Sequence, residues 1–255
     1  MQRIRQPRVA ELVASRLRDD ILTGRLAEGD VLPSQEALFA EFGVSPPAVR
    51  EAIHILESDG LISVRRGNVG GAVVHLPSAE RTAQMISMVL QTRAATPGDV
   101  SEALLHLEPI CAGLCAARAD RMTEVVPHLR AAIDAQSEQF DTPARYVPNA
   151  RRFHEELVSR CGNEPMILLI GALELIWSAH ESAVWSDEHH PDDPMNPTTM
   201  RAALRDHHRL LDAIADGNTA RAQRLAAAHL AAARRNTLAA GADKTIEAKL
   251  ISNRD

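Results

Sequence analysis

Beyond Ser78 the chain reads almost entirely at helical spacing, and this constrains the fold more than any other feature. Apolar residues recur three and four apart over 78–94, 98–120, 123–139, 143–161, 164–185, 197–216 and 218–240, with Pro, Gly and Asn between the runs. Such segments have no sheet to lie on, so each must bury its stripe against its neighbours, as in an antiparallel helical bundle. The polar, Pro-rich stretch 186–197 reads as a loop, and the tail after Gly241 is expected to be flexible. A hydrophobic fraction of 45% is enough for a core. No 18-residue apolar stretch is free of charge, so neither a spanning helix nor a membrane partner is expected. The first twenty residues carry charges where a leader would need an apolar run. Three cysteines, Cys111, Cys115 and Cys161, suit a reducing compartment, and a cytoplasmic location is the expectation.

Residues 1–76 have a different texture. A helix is expected from about Pro7 to Thr23, with Val9, Leu12, Val13, Leu17, Ile21 and Leu22 as its stripe. A second begins after Ser34, a good N-cap, and stops at Gly43. A third begins after Ser45, takes Pro46 at its first position and closes at Gly60. Its inward residues are Val49, Ile53 and Leu56, which leaves Arg50 outward. Strand-like pieces at 61–65 and 71–76 flank a glycine-rich turn. Two short helices joined at a glycine and followed by a hairpin are the parts of a winged helix-turn-helix, whose second helix enters the major groove N-terminus first. The fold class expected is therefore mainly α: a winged helix-turn-helix over 1–76, an all-α bundle over 77–240 and a tail over 241–255. Arg50 is placed to read a guanine edge. Ser34 and Ser45 stand at helix N-termini that favour phosphate, and Arg65, Arg66 and Gly67 sit at the wing tip for backbone or minor-groove contact.

The ordered stretches Ile21–Ser34, Gly43–Ala52 and Leu56–Leu61 resemble the DNA-binding domain of GntR-type bacterial regulators. The resemblance implies operator binding by a homodimer. The family commonly has Glu-Arg after the Pro-Ser pair, where this chain has Gln35-Glu36. It also has an arginine after the capping Ser or Thr, where this chain has Pro46. Arg50 is left as the main base-reading candidate.

In the second domain, His154, His207 and His229 lie on the apolar stripes of three separate helices. Spacing alone allows two readings: three core histidines, each hydrogen-bonded locally, or three imidazoles around a divalent metal. The motifs Leu107-Glu108-Pro109, Arg152-Phe153-His154 and His207 with Leu211-Asp-Ala-Ile214, followed by His229-Leu230, are similar to those of the FCD effector-binding domain of the FadR subfamily. The resemblance implies zinc, or a nickel- or manganese-like ion, on the three histidines. The usual acidic ligand one turn before the first is Ala150 here, with Asn149 beside it. A family arginine one turn before the Leu-Glu-Pro glutamate is Leu104 here. An organic acid or related metabolite as effector would then need its counter-charge from the metal, from the histidines, or from another arginine such as Arg151 or Arg152. Both arginines are expected mainly on the solvated face of their helix.

The function expected is a ligand-responsive DNA-binding regulator, with repression as the default sign and no catalysis. A metal-dependent enzyme on the three histidines and an architectural DNA-binding protein without effector are the alternatives. Cys111 and Cys115 read as core, Trp177 and Trp185 as core or pocket wall, and His189 and His190 as loop residues. The net charge is −6, and residues 1–76 hold nine arginines against ten acidic residues. DNA affinity must therefore rest on where a few arginines stand.

Overall fold

The computed structural model describes residues 8–65, 71–140, 143–186, 197–239 and 244–248. It divides into two compact units, Met1–Ser78 and Ala79–Asp255.

The first unit contains α1 (Val9–Leu22), α2 (Gln35–Phe42), α3 (Pro46–Ser58) and an antiparallel hairpin of β1 (Ile62–Arg65) and β2 (Gly71–Val74). Val13, Leu17 and Ile21 of α1 are buried on one line, spaced by four. Leu12 and Leu22 stand about 100° off that line and are more than half exposed, as is Val9 in the first turn. The buried stripe is thus narrower than the sequence suggests. Gly43 ends α2 with φ 63°, the left-handed conformation that side chains avoid. Ile62 pairs with Val74 and Arg65 with Gly71. A short segment not foreseen from the pattern runs beside β2: Leu32 N donates to Ala72 O at 2.8 Å, and Val74 N donates to Asp30 O at 2.8 Å. A Cβ on Gly71 would lie 2.7 Å from Val31 Cγ1, so this approach needs glycine.

The second unit is helical throughout its long elements: α4 (Ala79–Thr92), α5 (Pro97–Ala117), the short α6 (Arg121–Glu124), α7 (Val126–Glu138), α8 (Pro143–Ser159), α9 (Glu164–Ser186), α10 (Pro197–Ala215) and α11 (Thr219–Ala239). α5 is its axis and packs against α8, α9, α10 and α11. Thr96 starts it: its Oγ1 accepts from Asp99 N at 3.2 Å while Asp99 Oδ2 accepts from Thr96 N at 2.7 Å. Leu104, Glu108, Cys111 and Cys115, one or two turns apart, all face inward. Gly113 lets α11 lie close, since a Cβ there would meet the Gln223 side chain at 2.4 Å.

The expected flexible tail is corrected over 244–248. Ile246 is fully buried in the helical core. Its N–H donates to Ala95 O at 2.9 Å, Glu247 N donates to His180 Nε2 at 2.9 Å, and Ala248 N donates to Gln91 Oε1 at 3.0 Å. A single isoleucine in a polar stretch has no periodicity to betray it, yet it fills a slot that α4 and α9 leave open.

Candidate functional site

α8, α10 and α11 each present one imidazole to the same point. His154, His207 and His229 are buried, and their ligand atoms all lie within 4.8 Å of one another. His229 Nε2 is 3.1 Å from His207 Nε2 and 3.3 Å from His154 Nε2. The placement follows from the stripes: each histidine is flanked by buried apolar neighbours of its own helix, such as Leu157 and Val158, or Leu211 and Ile214. Phe153 stacks on the His207 ring at 4.1 Å between centroids and 14° between planes, which fixes its pose.

The far side of each ring faces an acceptor. His154 Nδ1 lies 2.6 Å from Glu108 Oε1, His207 Nδ1 lies 2.8 Å from Gln136 Oε1, and His229 Nδ1 lies 3.9 Å from Asp206 Oδ2. For His154 and His207 an acceptor within hydrogen-bond distance of Nδ1 puts the ring proton there and turns the Nε2 lone pair inward, while Asp206 stands farther from His229. Burial, and then the neighbouring His229 and His154, hold the His207 pKa well below the ordinary histidine value, so this ring is neutral. Lone pairs at about 3 Å repel unless a cation stands among them. At a zinc–nitrogen bond of about 2.0–2.1 Å, tetrahedral ligands stand about 3.4 Å apart, close to the observed separations. The donor set therefore fits a divalent transition metal. Among the described residues no carboxylate oxygen joins the cluster. Asn149 and Ala150 are half-buried on α8.

Behind His154 is a layer of charge that sequence reading missed. Glu108 and Glu174 are fully buried, and burial raises both carboxyl pKa values, that of Glu174 to about 7. Glu108 Oε2 and Glu174 Oε1 find no protein donor, while the two carboxyls interact with each other. Arg151 donates to Glu174 in a buried ion pair, and separating such a pair costs about 3–5 kcal/mol when one partner is left charged. The expectation that Arg151 lies on the solvated face is thereby corrected: its position on α8 is inward, and its charge is met inside. Arg152, one residue on, is exposed.

Arg151, Glu174 and His154 also line a small cavity of about 20 Å³, room for about one water molecule. Leu104, Trp177 and Leu230 supply apolar wall, and Ser101 and Arg234 supply polar wall. The Trp185 side chain lies outside the described residues, as do His189 and His190. Cys111 and Cys115 are buried, with burial as the main reason their thiol pKa values are raised, which makes them core rather than reactive groups.

In the first unit, Arg50 stands exposed on α3 while Val49, Ile53 and Leu56 are buried. Arg65 is exposed at the end of β1. Ser34 Oγ accepts from Ala37 N at 3.2 Å and caps α2. The Ser45 side chain makes no cap bond, contrary to expectation. Pro46 and Pro47 carry no N–H, and Ala48 N and Val49 N donate instead to the Ser45 carbonyl at 3.0 and 3.3 Å. The start of α3 thus offers phosphate a hydroxyl rather than a row of amides. Arg66 and Gly67 lie outside the described residues.

Comparison with known proteins agrees with this anatomy. Residues 9–73 match the profile of bacterial regulatory proteins of the gntR family, and residues 99–232 match that of the FCD domain. The HTH-type transcriptional repressor NanR of Klebsiella aerogenes is 26% identical over 230 residues, covering 88% of this chain and 83% of that protein. NanR of Cronobacter sakazakii is 29% identical over 175 residues, or 67% of this chain and 65% of the relative. A solved structure of a Streptococcus agalactiae GntR superposes with a TM-score of 0.68 at 21% identity, over 89% of this chain and 99% of that one, which supports the fold.

Proposed function

Since this chain belongs to the GntR family of bacterial regulatory proteins, with an FCD domain behind its winged helix, it is a DNA-binding transcriptional regulator and not an enzyme, and we propose that it is a metal-loaded repressor relieved by a small effector. The observation that carries the finer reading is the convergence of three Nε2 atoms whose rings are each backed by an acceptor. His154, His207 and His229 would hold zinc or a similar ion, which supplies a Lewis-acidic centre of positive charge when bound. Glu108, Gln136 and Asp206 orient the rings, and Phe153 keeps His207 in place.

The effector, an organic acid or related metabolite, binds within the helical domain. It acts only through a difference in affinity between DNA-competent and DNA-incompetent states. A homodimer in the cytoplasm presents two α3 helices to a two-fold operator, with Arg50 reading bases and Ser34, Ser45, Arg65 and the wing-tip Arg66 and Gly67 meeting the backbone.

Elemental analysis and size-exclusion chromatography test this reading. The purified protein is expected to elute as a dimer with close to one divalent ion per chain, and His207→Ala combined with His229→Ala to release the ion. Stoichiometric metal in the double variant, or a monomer at micromolar concentration, would overturn it.

A further inference from the structure

The leading turn of α3 presents carbon where a recognition helix often presents amides. Pro46 and Pro47 are its first two residues, and neither has an N–H. The next two amides, Ala48 N and Val49 N, donate to the Ser45 carbonyl at 3.0 and 3.3 Å. The backbone at this end therefore has little to offer an anion. Behind the two prolines, Val49, Ala52, Ile53 and Leu56 are buried. Pro46 and Pro47 themselves are exposed. A proline at the first position suits a helix start, but the packing of the domain covers neither ring.

The rings share a face with Arg50. On an ideal helix Arg50 stands about 40° from Pro46 and about 60° from Pro47, between the two. It is exposed. Among the described residues it has no carboxylate partner, whereas Arg8, Arg16, Arg18 and Arg25 are each paired with one. From the rings to Arg50 the helix rises three or four residues, about 4.5–6 Å, which is between one and two base steps at about 3.4 Å per step. In the major groove of unmodified DNA, the apolar group on a base edge is the C5-methyl of thymine, and apolar side chains read it. A guanidinium and two apolar rings at this spacing suit a guanine and a thymine that are close neighbours in one half-site.

We infer that Pro46 and Pro47 determine sequence specificity: their rings seat a thymine methyl one or two base steps from the guanine that Arg50 reads. The inference rests on the reading of α3 as the base-reading helix.

The test uses the full chain and a duplex selected with it from random-sequence DNA. Each thymine of that duplex is replaced in turn by deoxyuridine, which removes the methyl and keeps every hydrogen-bonding group. Each guanine is replaced in turn by 7-deazaguanine, which removes the N7 acceptor. Fluorescence anisotropy reads the affinities. One guanine in each half-site is expected to cost about ten-fold or more. Within two steps of it, one thymine is expected to cost about four-fold on losing its methyl, the worth of one buried CH2 group. Pro46→Ala combined with Pro47→Ala should bring the uracil cost below about two-fold and leave the deazaguanine cost in place, since only the first contact is removed. The uracil scan uses the unaltered protein, so it is readable even if the double variant folds poorly. No thymine within two steps that responds to loss of its methyl overturns the inference. A uracil cost that persists in the folded double variant overturns it as well, because the methyl would then act through the shape of the duplex. Affinity that ignores both Arg50→Ala and every deazaguanine removes the reading of α3 itself. A guanine response without a thymine response removes this inference alone.

Discussion

Replacing Arg151 with methionine isolates what the buried charge behind His154 contributes. The carboxyl of Glu174 has a pKa of about 7 in the fold, raised by burial and held from rising further by Arg151. A carboxyl whose pKa is raised stabilises the fold in its protonated form. That stability is complete below the unfolded value of about 4.5 and is lost as pH climbs through the folded value. In the wild type the loss ends near pH 7, because above it Glu174 is ionised in both states. Without Arg151 the folded carboxyl holds its proton to higher pH, so the loss continues upward at about 1.4 kcal/mol per pH unit. Arg151→Met should therefore cost little near pH 6 and about 3 kcal/mol near pH 9, approaching the lower end of the range for breaking a buried pair. Urea denaturation of chelator-treated protein at pH 6, 7, 8 and 9 measures this directly. The double variant Arg151→Met with Glu174→Gln should lose the pH dependence. A cost for Arg151→Met that is the same at every pH would refute the reasoning, because it would mean that packing and not charge had been removed.

Arg50→Ala should weaken binding to a selected operator duplex by about one to two orders of magnitude and leave non-specific DNA affinity nearly unchanged, as read by fluorescence anisotropy. A uniform loss on all sequences would reassign Arg50 to the phosphate backbone. Ile246→Ala should destabilise the helical unit by about 2–4 kcal/mol in a denaturant titration, and a change below about 0.5 kcal/mol would show that 244–248 is not held. His207 titrates the opposite way to Glu174: its depressed pKa means that stability present above the unfolded value of about 6.5 is lost as pH falls below it. Metal-free wild type should lose stability on acidification from pH 7 to 5 more steeply than His207→Gln, and equal slopes would contradict the buried neutral ring.

The elements and the metal-binding candidates were legible for a common reason. Val49, Ile53 and Leu56, or Leu211 and Ile214 with His207, repeat at helical spacing, and an imidazole on such a stripe must point inward wherever the helix is placed. The partners behind the histidines carried the same signal at lower strength. Gln136 continues the line of Leu129 and Ile133, and Glu174 interrupts an apolar run on α9, so each is a polar residue on an inward stripe. What spacing does not reveal is which inward group meets which: nothing in the pattern pairs Arg151 of α8 with Glu174 of α9. Ser45 shows a different limit. Its type and position suit a cap, but Pro47 lacks an N–H and the Ala48 N–H goes to the Ser45 carbonyl instead of its hydroxyl. Residues 29–32 and 244–248 have too few residues for any period, and their places are set by hydrogen bonds from their backbone together with the buried Leu32 and Ile246 side chains.

The three imidazoles come from helices far apart along the chain, with 52 residues between the first and second and 21 between the second and third. An ion shared by them is a reversible cross-link between α8, α10 and α11. Unlike a covalent one, its strength depends on supply: once free metal exceeds the dissociation constant, each further ten-fold adds about 1.4 kcal/mol to the folded state. With an ion held there, the stability of the domain would follow the supply of free metal.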